Sequence, residues 1–114
     1  MIAVIFEVVP SAEGRPAYLE HAARLKPMLE QMDGFISVER FQSLTNPDKL
    51  LSLSFWRDEE AVRGWREHGE HRIAQQAGRA GVFDDYRLRV AAVVRDYGMF
   101  ERDQVPPPRA PTAG

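Results

Sequence analysis

Cysteine is absent from all 114 residues, which excludes disulfides, thiolate metal sites and a cysteine nucleophile, and with them a disulfide-stapled secreted scaffold. An excess of one charge is lacking too. Fifteen Lys and Arg against seventeen Asp and Glu leave a net charge of −2, too weak a field to gather nucleic acid or an anionic membrane surface. Long apolar runs are also missing: MIAVIFEVVP stops at Pro10, too short for a span and without the basic n-region of a signal peptide. We therefore expect a soluble, cytoplasmic protein with no nucleic-acid and no membrane partner. What is present is a 44% hydrophobic content, enough to give one domain of this length a core.

Ile2 to Val9 is a β-branched run whose alternating faces are both mostly apolar, with Ile2, Val4, Phe6 and Val8 on one and Ala3, Ile5 and Val9 on the other. It reads as a strand covered on both sides. Pro16 suits a first helical turn, and Tyr18, Ala22, Leu25, Leu29 and Met32 then recur at helical spacing. Pro27 predicts a kink or short break inside that helix, and Asp33-Gly34 predicts its end. Phe35 to Ser43 reads as a strand with Ile36 and Val38 on one face and Phe35, Ser37, Glu39 and Phe41 on the other. The turn Thr45-Asn46-Pro47-Asp48 and a strand from Leu50 to Trp56 complete a hairpin. Asp58 is the expected N-cap of a second helix running toward Gly78, with Glu59 and Glu60 at its positive end. Residues 86–97 are expected to form the last strand, with Leu88, Val90, Ala92 and Val94 on one face and Arg87 and Arg89 on the other. From Gln104 the tail QVPPPRAPTAG offers almost no anchors and is expected to be disordered or to lie over a neighbour.

The order β-α-β-β-α-β is a ferredoxin-like split βαβ arrangement: an α+β fold, an antiparallel sheet with both helices on one face. We expect one domain over 1–103 and a Pro-rich flexible tail over 104–114. Helices on one face leave the other uncovered, although the strands carry apolar residues on both sides. Such a patch normally marks an association surface, and a homodimer through the sheet faces covers it with its own copy.

The stretch FWRDEEAVRGWREHGEHRIAQQAGR holds both tryptophans and two of the three histidines. His68 and His71 can share a helical face, with Glu67 and Glu70 nearby and His21 on the other helix. Polar residues at that spacing are most often a solvated face, and no metal site is expected. The apolar stripe Ala61, Val62, Trp65, Gly69 and Ile73 sets His71 on the polar side of an unbroken helix, while Gly69 can bend it and change the phase. Trp65 on that stripe reads as core and Trp56 as structural.

Trp65, Glu70-His71, Ala74-Gln75, Gly78-Arg79, Tyr86 and Arg89-Val90, set in LSLSFWRDEEAVRGWREHGEHRIAQQAGR and DDYRLRVAAVVRDYG, resemble the antibiotic biosynthesis monooxygenase domain family. That family consists of small dimeric α+β barrels, and the resemblance extends to about Gly98. It implies oxidation of polyketide phenols or quinols without flavin, metal or haem, so no cofactor is expected. The family also includes haem-degrading enzymes and members without assigned activity. The haem-degrading motif requires a first-strand asparagine, a tryptophan on the second helix and a histidine ten residues later. Trp65 matches, but Gln75 stands at the histidine's place and the first strand has no asparagine, so haem cleavage is the weaker reading.

The resemblance implies a pocket between sheet and helices holding a small aromatic substrate and molecular oxygen. His71 or His68 would serve as base, and Trp65, the third catalytic candidate, as a hydrogen-bond donor. Tyr86, Gln75 and Arg79 would act as donors, and Phe6, Phe35, Phe41, Leu53 and Phe55 as apolar walls. Two rivals keep the same fold. One is a non-catalytic dimer that binds a small ligand or serves assembly; the other is an isomerase or cyclase that uses the base without oxygen.

Overall fold

The computed structural model of the chain describes residues 1–67 and 82–108. Among these residues the elements follow as β1 (Ile2–Pro10), α1 (Arg15–Glu30), β2 (Phe35–Gln42), β3 (Leu50–Trp56), α2 (Glu59–Arg66) and β4 (Phe83–Ala92). The strands form one antiparallel sheet in the order β2-β3-β1-β4. Doubly apolar β1 is an inner strand, as its sequence requires. The α+β split βαβ architecture is the one expected.

The register assigns every side chain to a layer. Leu25 and Leu29 of α1, Ala61 and Trp65 of α2 and Trp56 of β3 form the core cluster, and Ile2, Val4 and Val38 pack against it. Both helices therefore lie on the even-numbered side of β1. Val4 pairs with Ser54 and Val90, Phe6 with Ser52 and Leu88, and Val8 with Leu50 and Tyr86, so these residues share the helix-side layer. Ala3, Ile5, Leu51, Leu53, Phe55, Arg87 and Arg89 fall on the far face.

Several local expectations shift. Helix α1 runs through Pro27 without a break. The proline sits near the last turn on the exposed side, so one backbone bond is forgone where water can replace it. The helix ends at Glu30, and Gly34 with φ of +82° turns the chain into β2. A register shift between Phe35 and Ser37 puts Phe35 on the side of Val38 rather than opposite it, where its ring meets Trp56 at 5.3 Å. Strand β4 spans 83–92 rather than 86–97. Its ladder closes where the Val93 N–H reaches the Met1 carbonyl at 3.0 Å, and the chain then folds locally through Gly98 N–H to the Glu101 carbonyl at 2.8 Å. Val94 and Tyr97 thus lie outside the sheet. The Asp96 N–H donates to Gln104 Oε1 at 2.8 Å, tying down the start of the tail; residues 109–114 and 68–81, over most of which the second helix was expected to run toward Gly78, lie outside the described residues.

Asp58 caps α2 as expected, its Oδ1 accepting from the Ala61 N–H at 2.9 Å. Arg57 beside it binds Asp33 through Nη2 at 3.1 Å, and its N–H donates to the Gly34 carbonyl at 2.7 Å. Gly34 is needed there twice over. Its φ is left-handed, and a Cβ at this position would stand 2.5 Å from the Ala61 Cβ. Gly64 is the opposite case: a Cβ there would meet only Met32 Cε, at 3.9 Å. In denaturant unfolding, Gly34→Ala is expected to cost about 2 kcal/mol or more, while Gly64→Ala is neutral or stabilises by about 0.5–1 kcal/mol. Equal effects at the two glycines would contradict this packing.

Candidate functional site

The layer between sheet and helices has two unlike ends. At one, Trp56 is 1% exposed and Trp65 9%. The Trp56 indole Nε1–H donates to Ser54 Oγ at 2.9 Å, both buried. Leu25, Leu29 and Ala61 close this end, with Phe35 packed against it. Trp65 and Phe35 are therefore walls of a filled core, and Trp56 is structural.

At the other end four rings from three elements meet. Phe6 of β1 lies 5.9 Å from Phe83 and 5.8 Å from Tyr86, and Tyr18 of α1 lies 5.7 Å from Phe83. Strict alternation would put residues 83 and 86 on opposite faces. The β-bulge where Val9 pairs with Asp85 and Pro10 with Phe83 brings both rings to the helix side, 6.1 Å apart. Tyr86 is 62% exposed, so this end opens to solvent. Phe6 and Tyr86 were expected here; Tyr18 and Phe83 were not, because the bulge is invisible to a pattern of period two.

Phe41, Leu53 and Phe55, expected as walls of the same pocket, lie on the far face. Phe41 pairs with Leu51, Leu53 with Ile5 and Glu39, and Phe55 with Ala3 and Ser37. Their register sets them on the opposite face of the sheet from Phe6. Two hollows open instead beside the β2–β3 turn: one of about 450 Å³ bordered by Phe41, Leu51, Lys49 and Glu7, and one of about 170 Å³ bordered by Glu7, Lys49, Asp85 and Arg87. Glu7 is shared between Arg89 Nη1 at 2.6 Å and Lys49 Nζ at 3.2 Å. The hydrogen bond from Arg89, then that from Lys49, holds its carboxyl below the ordinary range.

Between the two ends lie His21 of α1 and Arg40 of β2, whose Nε2 and Nε atoms are buried without a hydrogen-bond partner. His68, His71, Gln75 and Arg79 lie outside the described residues. Among the described residues no group of three or more His, Asp or Glu is placed to hold a metal ion, and no helix is long and apolar enough to cross a membrane.

Comparison with known proteins adds to this geometry. The model of the family described as antibiotic biosynthesis monooxygenase matches residues 1–77. A protein of Pyricularia oryzae named jasmonate monooxygenase ABM is 48% identical over 93 residues, which cover 82% of this chain and 43% of that protein. The chain thus spans less than half the length of that relative. An uncharacterized protein of Bacillus subtilis, YqjZ, is 34% identical over 82% of this chain and 79% of its own length. Among solved structures, a Deinococcus radiodurans protein assigned to the antibiotic biosynthesis monooxygenases superposes with a TM-score of 0.78 at 15% identity, covering 87% of this chain and 98% of that one. Rv0793 of Mycobacterium tuberculosis gives 0.76 at 16% identity, covering 85% and 98%. At such identities these two show the fold alone.

The ion pairs predict an acid limit. The carboxyls of Glu7, Asp33 and Asp58 are all held below their ordinary values: Glu7 by Arg89 and Lys49, Asp33 by Arg57, and Asp58 by the Ala61 N–H and then Arg57. A depressed carboxyl contributes stability that is complete above its ordinary value, 4.5 for Glu7, and is lost as the pH falls through the lower folded value. The thermal midpoint should be flat from about pH 7 to 5 and fall below about pH 4, more shallowly in Glu7→Gln. A midpoint that rose on acidification would contradict the assignment.

Proposed function

The chain belongs to the antibiotic biosynthesis monooxygenase family, and from that premise we propose that it is a cofactor-independent monooxygenase. Its substrate is a small aromatic phenol, quinol or polyketide-like molecule held between sheet and helices. Monooxygenase function is supported at the level of the family; the substrate and the residues that act on it are our reading. The observation that carries it is the ring cluster of Phe6, Tyr18, Phe83 and Tyr86, which walls the solvent-open end of the interlayer. A flat aromatic ring has apolar walls there on three elements, with a phenolic hydroxyl beside it.

Ground-state oxygen is a triplet and reacts slowly with closed-shell molecules, but an ionised phenol gives up one electron readily. In this scheme His71 or His68 takes the substrate proton. The anion passes one electron to oxygen, the resulting radical pair joins as a carbon–peroxide bond, and loss of a second carbon-bound proton breaks the O–O bond. One oxygen remains as a carbonyl and the other leaves as water, so the substrate supplies all the electrons. Tyr86, Gln75 and Arg79 donate to the developing oxyanion, and Trp65 backs the pocket as part of the packed core.

The working form in this reading is a cytoplasmic homodimer whose protomers meet through the far faces of their sheets. Ile5, Leu51, Leu53 and Phe55 form a half-buried apolar field there, and Phe41 is 42% exposed at its edge. Sedimentation should then give twice the 13.0 kDa chain mass, and Leu53→Lys should give a folded monomer; a wild-type monomer would remove the dimer from the scheme.

Oxygen uptake by metal-free protein, measured on anthrones, quinols, flavonols and jasmonate, tests the activity. Jasmonate belongs in the panel because it names the activity of the Pyricularia relative. We expect uptake with at least one substrate and a loss of about 100-fold or more in His71→Ala. Saturable binding with no uptake across the panel would favour a non-catalytic ligand-binding dimer, and oxygen-independent turnover an isomerase or cyclase.

A further inference from the structure

Helix α1 and strand β2 run antiparallel and meet in steps. At the first, Leu25 and Leu29 share the core cluster with Val38. At the far end, Arg15 Nη2 donates to Gln42 Oε1 at 3.0 Å. One turn back along α1 from Leu25, about 6 Å, stands His21. One pleat on along β2 from Val38, about 7 Å, stands Arg40. Both moves run in the same direction, so His21 and Arg40 occupy the level between two contacts the structure makes in full. Arg40 also lies on the helix side of the sheet, for it pairs with Ser52, which pairs with Phe6.

That middle level is unsatisfied. Arg40 and His21 are half-buried; among the described residues the one buried atom named on each, Arg40 Nε and His21 Nε2, has no hydrogen-bond partner, and neither side chain makes an ion pair. Arginine has no acceptor and does not lose its proton, so its buried Nε–H can be satisfied only by an acceptor. An unpaired guanidinium inside a protein is disfavoured, and a carboxylate is the group best matched to it. Its two oxygens fit the parallel donors of the guanidinium fork, and a lone pair remains for an imidazole N–H.

We propose that Arg40 and His21 form a binding site for the carboxylate of an organic acid, whose ring lies along the helix-side layer toward Phe6, Phe83 and Tyr86. Arg40 stands two strand spacings, about 10 Å, from the β1 row that carries Phe6. A ligand with its carboxylate and ring that far apart or somewhat closer spans both. Arg40 Nε–H donates to one oxygen and His21 Nε2–H to the other. This rests on the monooxygenase reading only for its identification of the ligand as substrate.

Acetate is small enough to probe the anion site by itself, with acetamide as its neutral counterpart and ionic strength held constant with chloride. Titrated against the intact chain and followed by the side-chain nitrogen signals of arginine and histidine, acetate should shift Arg40 Nε and His21 Nε2 saturably and acetamide should not. Arg40→Met, which keeps the aliphatic stem, should abolish the response at His21 while leaving the unfolding midpoint unchanged or higher, because no partner is lost. Arg40→Lys should restore charge but only part of the response. A phenolic acid should then be oxygenated with kcat/KM at least about tenfold above its methyl ester, with most of that preference gone in Arg40→Met. No saturable acetate shift, or an equal one with acetamide, overturns the site. Acetate binding without oxygen uptake on any substrate leaves the carboxylate site standing and removes the monooxygenase reading; uptake with acid and ester alike, and no acetate response, does the reverse.

Discussion

The simultaneous pairing of β1 with β3 and β4 governs this molecule. Ile5 stands between Leu53 and Arg89, and Phe6 between Ser52 and Leu88. A slip of one residue on either side would carry every side chain of the slipped strand to the opposite layer. It would carry Arg87 and Arg89 to the helix side and move Leu88 and Val90, 53% and 47% exposed where they stand, to the far face. The arginines would lose Glu7, which one of them holds at 2.6 Å, and the helices would face charge. Apolar burial on one side and ion pairing on the other therefore enforce the same register, and everything placed between sheet and helices inherits its position from that agreement.

Much of this was legible because it follows local rules. The β-branched run Ile2 to Val9 announced a strand, Pro16 a first helical turn, and Asp58 with its following glutamates a capped helix. Phe35 was misread and Phe83 passed over for a shared reason. Each sits at a register irregularity, and a bulge is decided by the partner strand and by what must be packed, neither of which appears in the spacing of one segment. The same limit moved Phe41, Leu53 and Phe55 to the other face. As large apolar residues they suit any pocket, and only pairing with the odd-numbered side of β1 shows which layer they serve.

The far face of the sheet is not uniform along the strands. Its middle is aliphatic and aromatic, while its end near the β2–β3 turn is charged, with Glu7 between Lys49 and Arg89. Glu7 interrupts what would otherwise be a wholly apolar row on β1, and a lone acid in such a row is costly unless cations reach it. Lysine comes from the hairpin and arginine from β4, so both neighbours of β1 contribute. In the proposed dimer, an internally neutralised charge of this kind would limit random edge contacts while leaving the apolar field free for a copy in one orientation.

Arg40 looks unremarkable in the sequence, because Arg40 and Gln42, two residues apart, share one face of a strand and are both polar. Its meaning emerges only when α1 is laid antiparallel to β2 and the contacts on either side prove complete: apolar at Val38, hydrogen-bonded at Gln42. Packing alone would favour a leucine or methionine between them, continuing the core, since a half-buried arginine whose Nε–H lacks an acceptor lowers stability. Retaining a cation and an imidazole at that level costs the empty protein stability that a bound anion restores. Such a cost is the usual mark of a site shaped for binding rather than for folding.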